Sequence, residues 1–189
     1  MSIENLLEIL DYLSRITVGF RKDLTAFLGE EVTLIKNDLL YRIGVHIDSA
    51  CFLSSGFIVG KDKNGKVVRF YGPGSIITDL ASFFEGIVSS IELFAVTECK
   101  IFYLERTRYR ILEEKYSESL KLKDKIIFQE KEIDVKRAEM LRQKPRERFL
   151  HFVKDYPFFT QLPNRLCASF TNNTEADYSR FKAEYLRNM

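Results

Sequence analysis

Hydrophobic spacing changes character twice along the chain. Over residues 3–30 it repeats every three to four positions, with Leu6, Leu7, Leu10 and Leu13 followed by Leu24, Phe27 and Leu28, which predicts helix. From Val32 the apolar runs shorten to Val32–Ile35, Leu39–Ile43, Cys51–Leu53, Phe57–Val59, Val67–Tyr71, Ile76–Ile77, Leu93–Val96 and Lys100–Leu104. Turn signals separate them: Lys36-Asn37-Asp38, Ser54-Ser55-Gly56, Asp62–Gly65 and Gly72-Pro73-Gly74. Asn64-Gly65 between two such runs is a strong hairpin signal, because both residues tolerate positive φ. Many short strands at this spacing predict an all-β sandwich or barrel.

After Leu104 the strand pattern stops. Thr107–Tyr116 reads as a short helix and Ser119–Gln143 as a long, highly charged one. Within the long helix Leu122, Ile126, Ile133 and Met140 form an apolar stripe with seven-residue steps from Ile126 onward. Two readings fit the stripe: a dimer seam, or a helix packed on its own β-domain. Pro145, Pro157 and Pro163 punctuate three further short helices, Arg146–Asp155, Asn164–Phe170 and Thr174–Leu186. The chain thus divides into 1–116, 117–143 and 144–189, an α+β arrangement.

Composition adds bounds. With 189 residues, 46% hydrophobic and 30% charged, the chain has the make-up of an ordinary globular protein. No apolar run approaches a membrane span, and Glu4, Glu8 and Asp11 exclude a signal-peptide core from the first helix. A cytoplasmic protein without a membrane partner is expected. Cys51, Cys99 and Cys167 are widely spaced and form no redox or metal motif. In such a protein the glycosylation-like Asn172-Asn173-Thr174 carries no meaning.

Charge is distributed unevenly. Residues 136–189 hold 11 Lys/Arg against 6 Asp/Glu, whereas the first 135 hold 18 against 21. A basic end on an acidic body suits nucleic-acid binding, and it equally suits a solvated helical surface.

The segment Leu162–Phe181 reads Leu-Pro-Asn-Arg-Leu-Cys-Ala-Ser-Phe-Thr-Asn-Asn-Thr-Glu-Ala-Asp-Tyr-Ser-Arg-Phe. Leu166, Phe170, Tyr178 and Phe181 can face one small core, and Ala168 allows two helices to approach closely. Asn172 suits a left-handed turn, Thr174 an N-cap, and Glu175 and Asp177 the first turn that follows. This segment, with the preceding order of helix, strands and long helix, resembles the Crp/Fnr regulators, whose helix-turn-helix reads "P…IASYLGIT" then "PETLSRI". The resemblance spans nearly the whole chain, in a form without C-terminal wing strands. It implies a cyclic-nucleotide-binding-type β-roll (a double-stranded β-helix or jelly roll), a dimerisation helix with Leu122, Ile126, Ile133 and Met140 at its seam, and a C-terminal helix-turn-helix.

The implied DNA-facing residues are Arg165, Thr174, Glu175, Ser179, Arg180, Lys182 and Arg187. Arg suits bidentate contact with guanine, and Ser a phosphate or base. Thr171 and Asn173 replace apolar turn positions, and Ala176 stands where many relatives carry a base-reading Glu.

Ser75–Ser90 resembles the family's phosphate-binding cassette, in which a Gly-Glu pair opens a short helix and an Arg-Ser or Arg-Thr pair closes it. Here Thr78-Asp79, followed by Leu80, stands for the first pair and Ser89-Ser90 for the second. The phosphate-neutralising Arg is missing, and no Lys or Arg lies between Arg69 and Lys100 to replace it. Burying a phosphate without a cation is unfavourable. Cyclic AMP is therefore not the expected ligand, and the effector, where one exists, is a different small molecule.

Other chemistries fail for want of residues. The chain has no cysteine cluster for iron–sulfur sensing, and its two histidines, His46 and His151, cannot supply a His-rich metal site. His151 is expected to pack with Phe149, Phe152 and Val153. No nucleophile–base pair or Gly-rich nucleotide loop stands out, so neither an enzyme nor a cofactor or metal is implied. The function expected is a homodimeric regulator binding double-stranded DNA, the alternative a degenerate relative that binds a small molecule or protein without DNA.

Overall fold

The computed structural model describes residues 3–188; residues 1, 2 and 189 lie outside it. The helical signal over 3–30 resolves into α1 (Ile3–Leu13) and α2 (Val18–Phe27). Asp11 accepts from the Ile16 amide in the break between them, and Thr17 caps α2 by accepting from the Phe20 amide.

Eight strands follow: β1 (Val32–Leu34), β2 (Leu39–Tyr41), β3 (Ser49–Ser55), β4 (Ile58–Asp62), β5 (Val67–Tyr71), β6 (Ile76–Ile77), β7 (Ile91–Ala95) and β8 (Cys99–Glu105). They form two antiparallel sheets, ordered β1-β8-β3-β6 and β2-β7-β4-β5. Each strand run seen in the sequence is present, β5 and β6 with the same ends and the others with ends moved by up to three residues. Gly65 takes φ +73° in the predicted β4–β5 hairpin. Gly56 takes φ +91° between β3 and β4, where an added Cβ would sit 2.3 Å from the Glu98 carbonyl.

Period-2 alternation distributes side chains between the inside of the sandwich and its two outer faces. Cys51, Leu53, Ile58, Tyr71, Leu93 and Ile101 fill the space between the sheets. Phe52 and Phe102 point out of the first sheet and are covered by α1 and α2 together with α4 (Arg106–Lys115) and the start of α5 (Glu118–Leu141). Val59, Val67 and Phe70 point out of the second sheet. They join one cluster with the three C-terminal helices, α6 (Pro145–Asp155), α7 (Asn164–Thr171) and α8 (Glu175–Arg187). Phe70 meets Phe152, Tyr156 and Phe170 at ring-centroid distances of 5.8, 6.0 and 5.3 Å. Phe57 stacks on Phe158 at 4.9 Å. The segments 1–116 and 144–189 therefore share a continuous core.

The apolar stripe on α5 faces the chain's own body. Leu122 is buried in the cluster under the N-terminal helices, and Met140 in the cluster with the C-terminal ones. Ile126 and Ile133 are half-buried beside Ile9, Leu13 and Phe70. Leu122 and Met140 thus pack within the chain, while Ile126 and Ile133 keep part of their surface open. The large apolar residues that α5 leaves exposed are Leu120, Phe128 and Val135. His151 is also placed differently from expectation: it lies on α6 but on its exposed side.

A shared core predicts shared stability. Phe70→Ala should lower unfolding free energy by about 3–5 kcal/mol. Urea unfolding should remain a single transition, with hydrogen exchange rising together in β5 and α7.

A candidate effector cavity and helix-turn-helix

The cassette-like segment contains a short helix, α3 (Leu80–Glu85), which strand periodicity did not reveal. Asp79 is its N-cap, and Gly86 ends it at φ +73°. The Asp79 carboxylate accepts from the Ser82 amide at 3.1 Å, from Ser89 Oγ at 3.0 Å and from the Ser90 amide at 3.2 Å. The two ends of the segment, Thr78-Asp79 and Ser89-Ser90, are thus brought together, but against each other. Thr78, Asp79 and Ser89 are buried, Leu80 is half-buried and Ser90 exposed. Donors that could hold an incoming anion already hold a carboxylate of the chain.

Outside α3, between the roll and α5, lies a cavity of about 520 Å³. Its wall includes Thr78, Asp79, Leu80 and Ser90, but Ser89 is turned away behind Asp79. Cations are present after all, although none comes from the cassette. Arg69 enters from β5, and Lys123 and Lys131 from α5. Arg69 Nε donates to Glu130 at 3.0 Å and its Nη1 reaches Asp134 at 2.6 Å, both acids projecting from α5. Burial raises the Glu130 carboxyl above its ordinary value, and Arg69 offsets only part of that rise. Burial would lower the Arg69 pKa, but Asp134 and its neighbours raise it, so the guanidinium stays charged. Sequence reading missed these residues because strand and helix positions 61 apart meet only in the folded chain.

The last two helices, α7 and α8, are joined by a short left-handed turn. Asn172 adopts φ 51°, ψ 40° at the end of α7, and Thr174 caps α8 by accepting from the Asp177 amide at 3.0 Å. The polar turn positions are accommodated in part, since the buried Asn173 Oδ1 has no hydrogen-bond partner among the described residues. Thr171, fully buried, donates to the Cys167 carbonyl at 2.9 Å, and Asn173 donates to the Pro145 carbonyl at 3.1 Å. Leu166, Ala168, Phe170, Tyr178 and Phe181 are buried in one cluster.

Thr174, Glu175, Arg180, Arg187 and, on α7, Arg165 are exposed. Arg180 pairs with Asp177 at 2.7 Å. Ser179 Oγ accepts from Asn164 Nδ2 at 3.1 Å, and Lys182 donates to Asn164 Oδ1 at 3.0 Å. Asn164 thus ties the two helices through two of the residues singled out for DNA.

The cysteines are free and buried; burial pushes Cys51 up to about 12 and Cys167 up to about 11, which leaves them as inert thiols. Among the described residues no group of His, Cys, Asp and Glu is arranged to hold a metal, and no helix is long and apolar enough to cross a membrane.

No protein-family profile and no curated protein matches this sequence. Solved structures do match its fold. FixK2 from Bradyrhizobium japonicum aligns with TM-score 0.75 at 12% identity, over 84% of this chain and 85% of that one. The c-di-GMP-responsive global regulator CLP of Xanthomonas campestris aligns with TM-score 0.67 at 12% identity, over 91% and 93%. The catabolite activator protein of Thermus thermophilus aligns with TM-score 0.56 at 12% identity, over 95% and 87%. All three are Crp/Fnr regulators, none an enzyme. The chain has the Crp/Fnr fold, as the resemblance in its sequence implies.

Proposed function

We propose that this protein is a homodimeric transcription regulator whose α7–turn–α8 unit binds double-stranded DNA and whose roll cavity admits an effector other than a cyclic nucleotide. The observation that carries the reading is the turn itself. A left-handed Asn172 and a Thr174-capped α8 set two packed helices at a tight corner, with Arg165 and Arg180 on the outside. Such a corner lets the second helix lie in a major groove while the first meets the backbone. A degenerate relative without DNA binding is the second reading. It is favoured by the acids on α8, since Asp177 already neutralises Arg180 and Glu184 pairs with Arg146 at 3.5 Å.

Mapping the genomic sites of the tagged protein separates the two. Enriched two-fold-symmetric sites support the regulator, and their absence under several growth conditions supports the second reading. At such a site Arg180→Ala should cost about 1–3 kcal/mol at one base position, whereas Lys182→Ala or Arg165→Ala should weaken all sequences alike and flatten the salt dependence.

A two-fold seam on α5 would use the exposed residues. Leu120, Phe128 and Val135 lie on one side of the helix, and Phe128 and Val135 are one heptad apart. Sedimentation should show a dimer at micromolar concentration, and Phe128→Asp with Val135→Asp should give folded monomers. Ile126→Asp with Ile133→Asp should give monomers where the seam expected from the sequence is the one in use, which separates the two seams.

Cyclic AMP and cyclic GMP should give no saturable heat in calorimetry at physiological concentrations. Asp79 occupies the cassette donors, and a second anion placed beside its carboxylate would be repelled. A micromolar dissociation constant would show that this carboxylate yields to phosphate.

A further inference from the structure

We propose that a second cavity, beneath the N-terminal helices, binds a small uncharged molecule without hydrogen-bonding groups, such as a short hydrocarbon or halocarbon. The inference rests on no part of the function proposed above. The cavity lies on the outer face of the first sheet, where Leu6 and Leu10 of α1, Phe20 and Leu24 of α2 and Leu122 of α5 close over Phe52. Its volume is about 80 Å³, and it meets the cavity beside Arg69 only at Thr78, Phe84 and Lys123.

The gap has a local origin. Strand positions two apart share a face, so Ala50 and Phe52 both point out of β3 beneath the helices. Ala50 pairs with Leu104 on β8 and places a single methyl group where every other wall residue is larger. The helices cannot simply close in, because polar contacts fix their ends. Lys115 and Tyr116, at the end of α4, both donate to Asp23 of α2, at 2.6 and 2.8 Å. Thr17 Oγ1, at the start of α2, donates to Glu118 of α5 at 2.7 Å.

The ligand's class follows from the wall, whose polar groups are engaged with groups of the chain. Thr78 Oγ1 donates to the Ser49 carbonyl at 3.4 Å, and Ser119 Oγ to the Leu112 carbonyl at 2.9 Å. The Cys51 thiol lies 3.0 Å from the Tyr41 hydroxyl. The Tyr109 hydroxyl and the Lys123 ammonium both turn to Glu113, each at 3.5 Å. A water settles in such a space only with two to four polar partners, roughly, and those on the wall are taken. An amide or hydroxyl brought in would likewise leave its own hydrogen bonds unmade, which is unfavourable. An apolar cavity of roughly 150 Å³ stays dry and takes up benzene or xenon. This one is smaller, so its ligand has only a few heavy atoms.

Methyl NMR on the full chain with dichloromethane, and with formamide as a polar molecule of equal heavy-atom count, tests the proposal. Dichloromethane should shift the Leu24 and Ile76 methyls saturably and leave those of Leu93 and Ile101, between the sheets, unmoved. Its dissociation constant should be about 1–10 mM, within the ceiling for so few heavy atoms. Formamide should bind at least about tenfold more weakly. Xenon under pressure should shift the same methyls as dichloromethane. Ala50→Leu fills the gap and should abolish the saturable shift. Should that variant fail to fold, Ala50→Val, a smaller fill, should weaken dichloromethane several-fold. No saturable shift with dichloromethane or xenon, formamide binding as tightly as dichloromethane, or a folded Ala50→Val protein binding dichloromethane as tightly as the parent would each overturn the proposal. None of these outcomes bears on the genomic test of DNA binding or on the cyclic-nucleotide calorimetry.

Discussion

The β-sandwich is apolar on both outer faces as well as between its sheets, and water cannot be left against either face. Phe52 and Phe102 on one side and Val59, Val67 and Phe70 on the other each need a cover of side chains. A fully buried residue of this size contributes about 1.5–3 kcal/mol, so leaving either face in water would forfeit several such contributions at once. The helices before and after the strands are consequently drawn to opposite sides. Helix α5 spans the distance between them, giving Leu122 to one cluster and Met140 to the other. Its outer row, Leu120, Phe128 and Val135, is left exposed.

Charge obeys the same constraint of burial. A buried carboxylate must be hydrogen-bonded or paired. Asp79 meets that requirement with two amides and a hydroxyl of its own segment. Arg69 meets it with two acids from α5, which fastens that helix to β5 across an otherwise open cavity. The first arrangement is local and the second joins elements far apart in the chain.

The C-terminal basic excess looks different once each cation is placed. Arg137 donates to carbonyls of β5 and α7, and Arg148 donates to the Thr171 and Asn172 carbonyls at the end of α7. Arg146 and Arg180 pair with acids of α8. Charge that composition assigns to an external partner therefore in part holds the helices to each other and to the roll. Arg165 on α7 and Arg187 on α8 remain exposed.

Sequence alone determined the features that depend on neighbours a few residues away. The strand runs and the Asn64-Gly65 hairpin were legible because side-chain period and turn chemistry are local, as were the left-handed Asn172 and the Thr174 cap. The fold followed from their order. The tertiary structure decided everything that depends on which surfaces meet. The stripe of Leu122, Ile126, Ile133 and Met140 has the same spacing whether its partner is a second copy or its own roll, and only the fold shows that Leu122 and Met140 are buried within the chain. His151 carries no sign in its spacing of the solvent it faces. The cavity cations were invisible because Arg69, Lys123 and Lys131 converge from a strand and a helix far apart in the chain. Asp79 was readable as a substitution for Glu; that it turns inward to close the cassette depends on the distance from its carboxylate to Ser89 and Ser90, which the folded backbone sets.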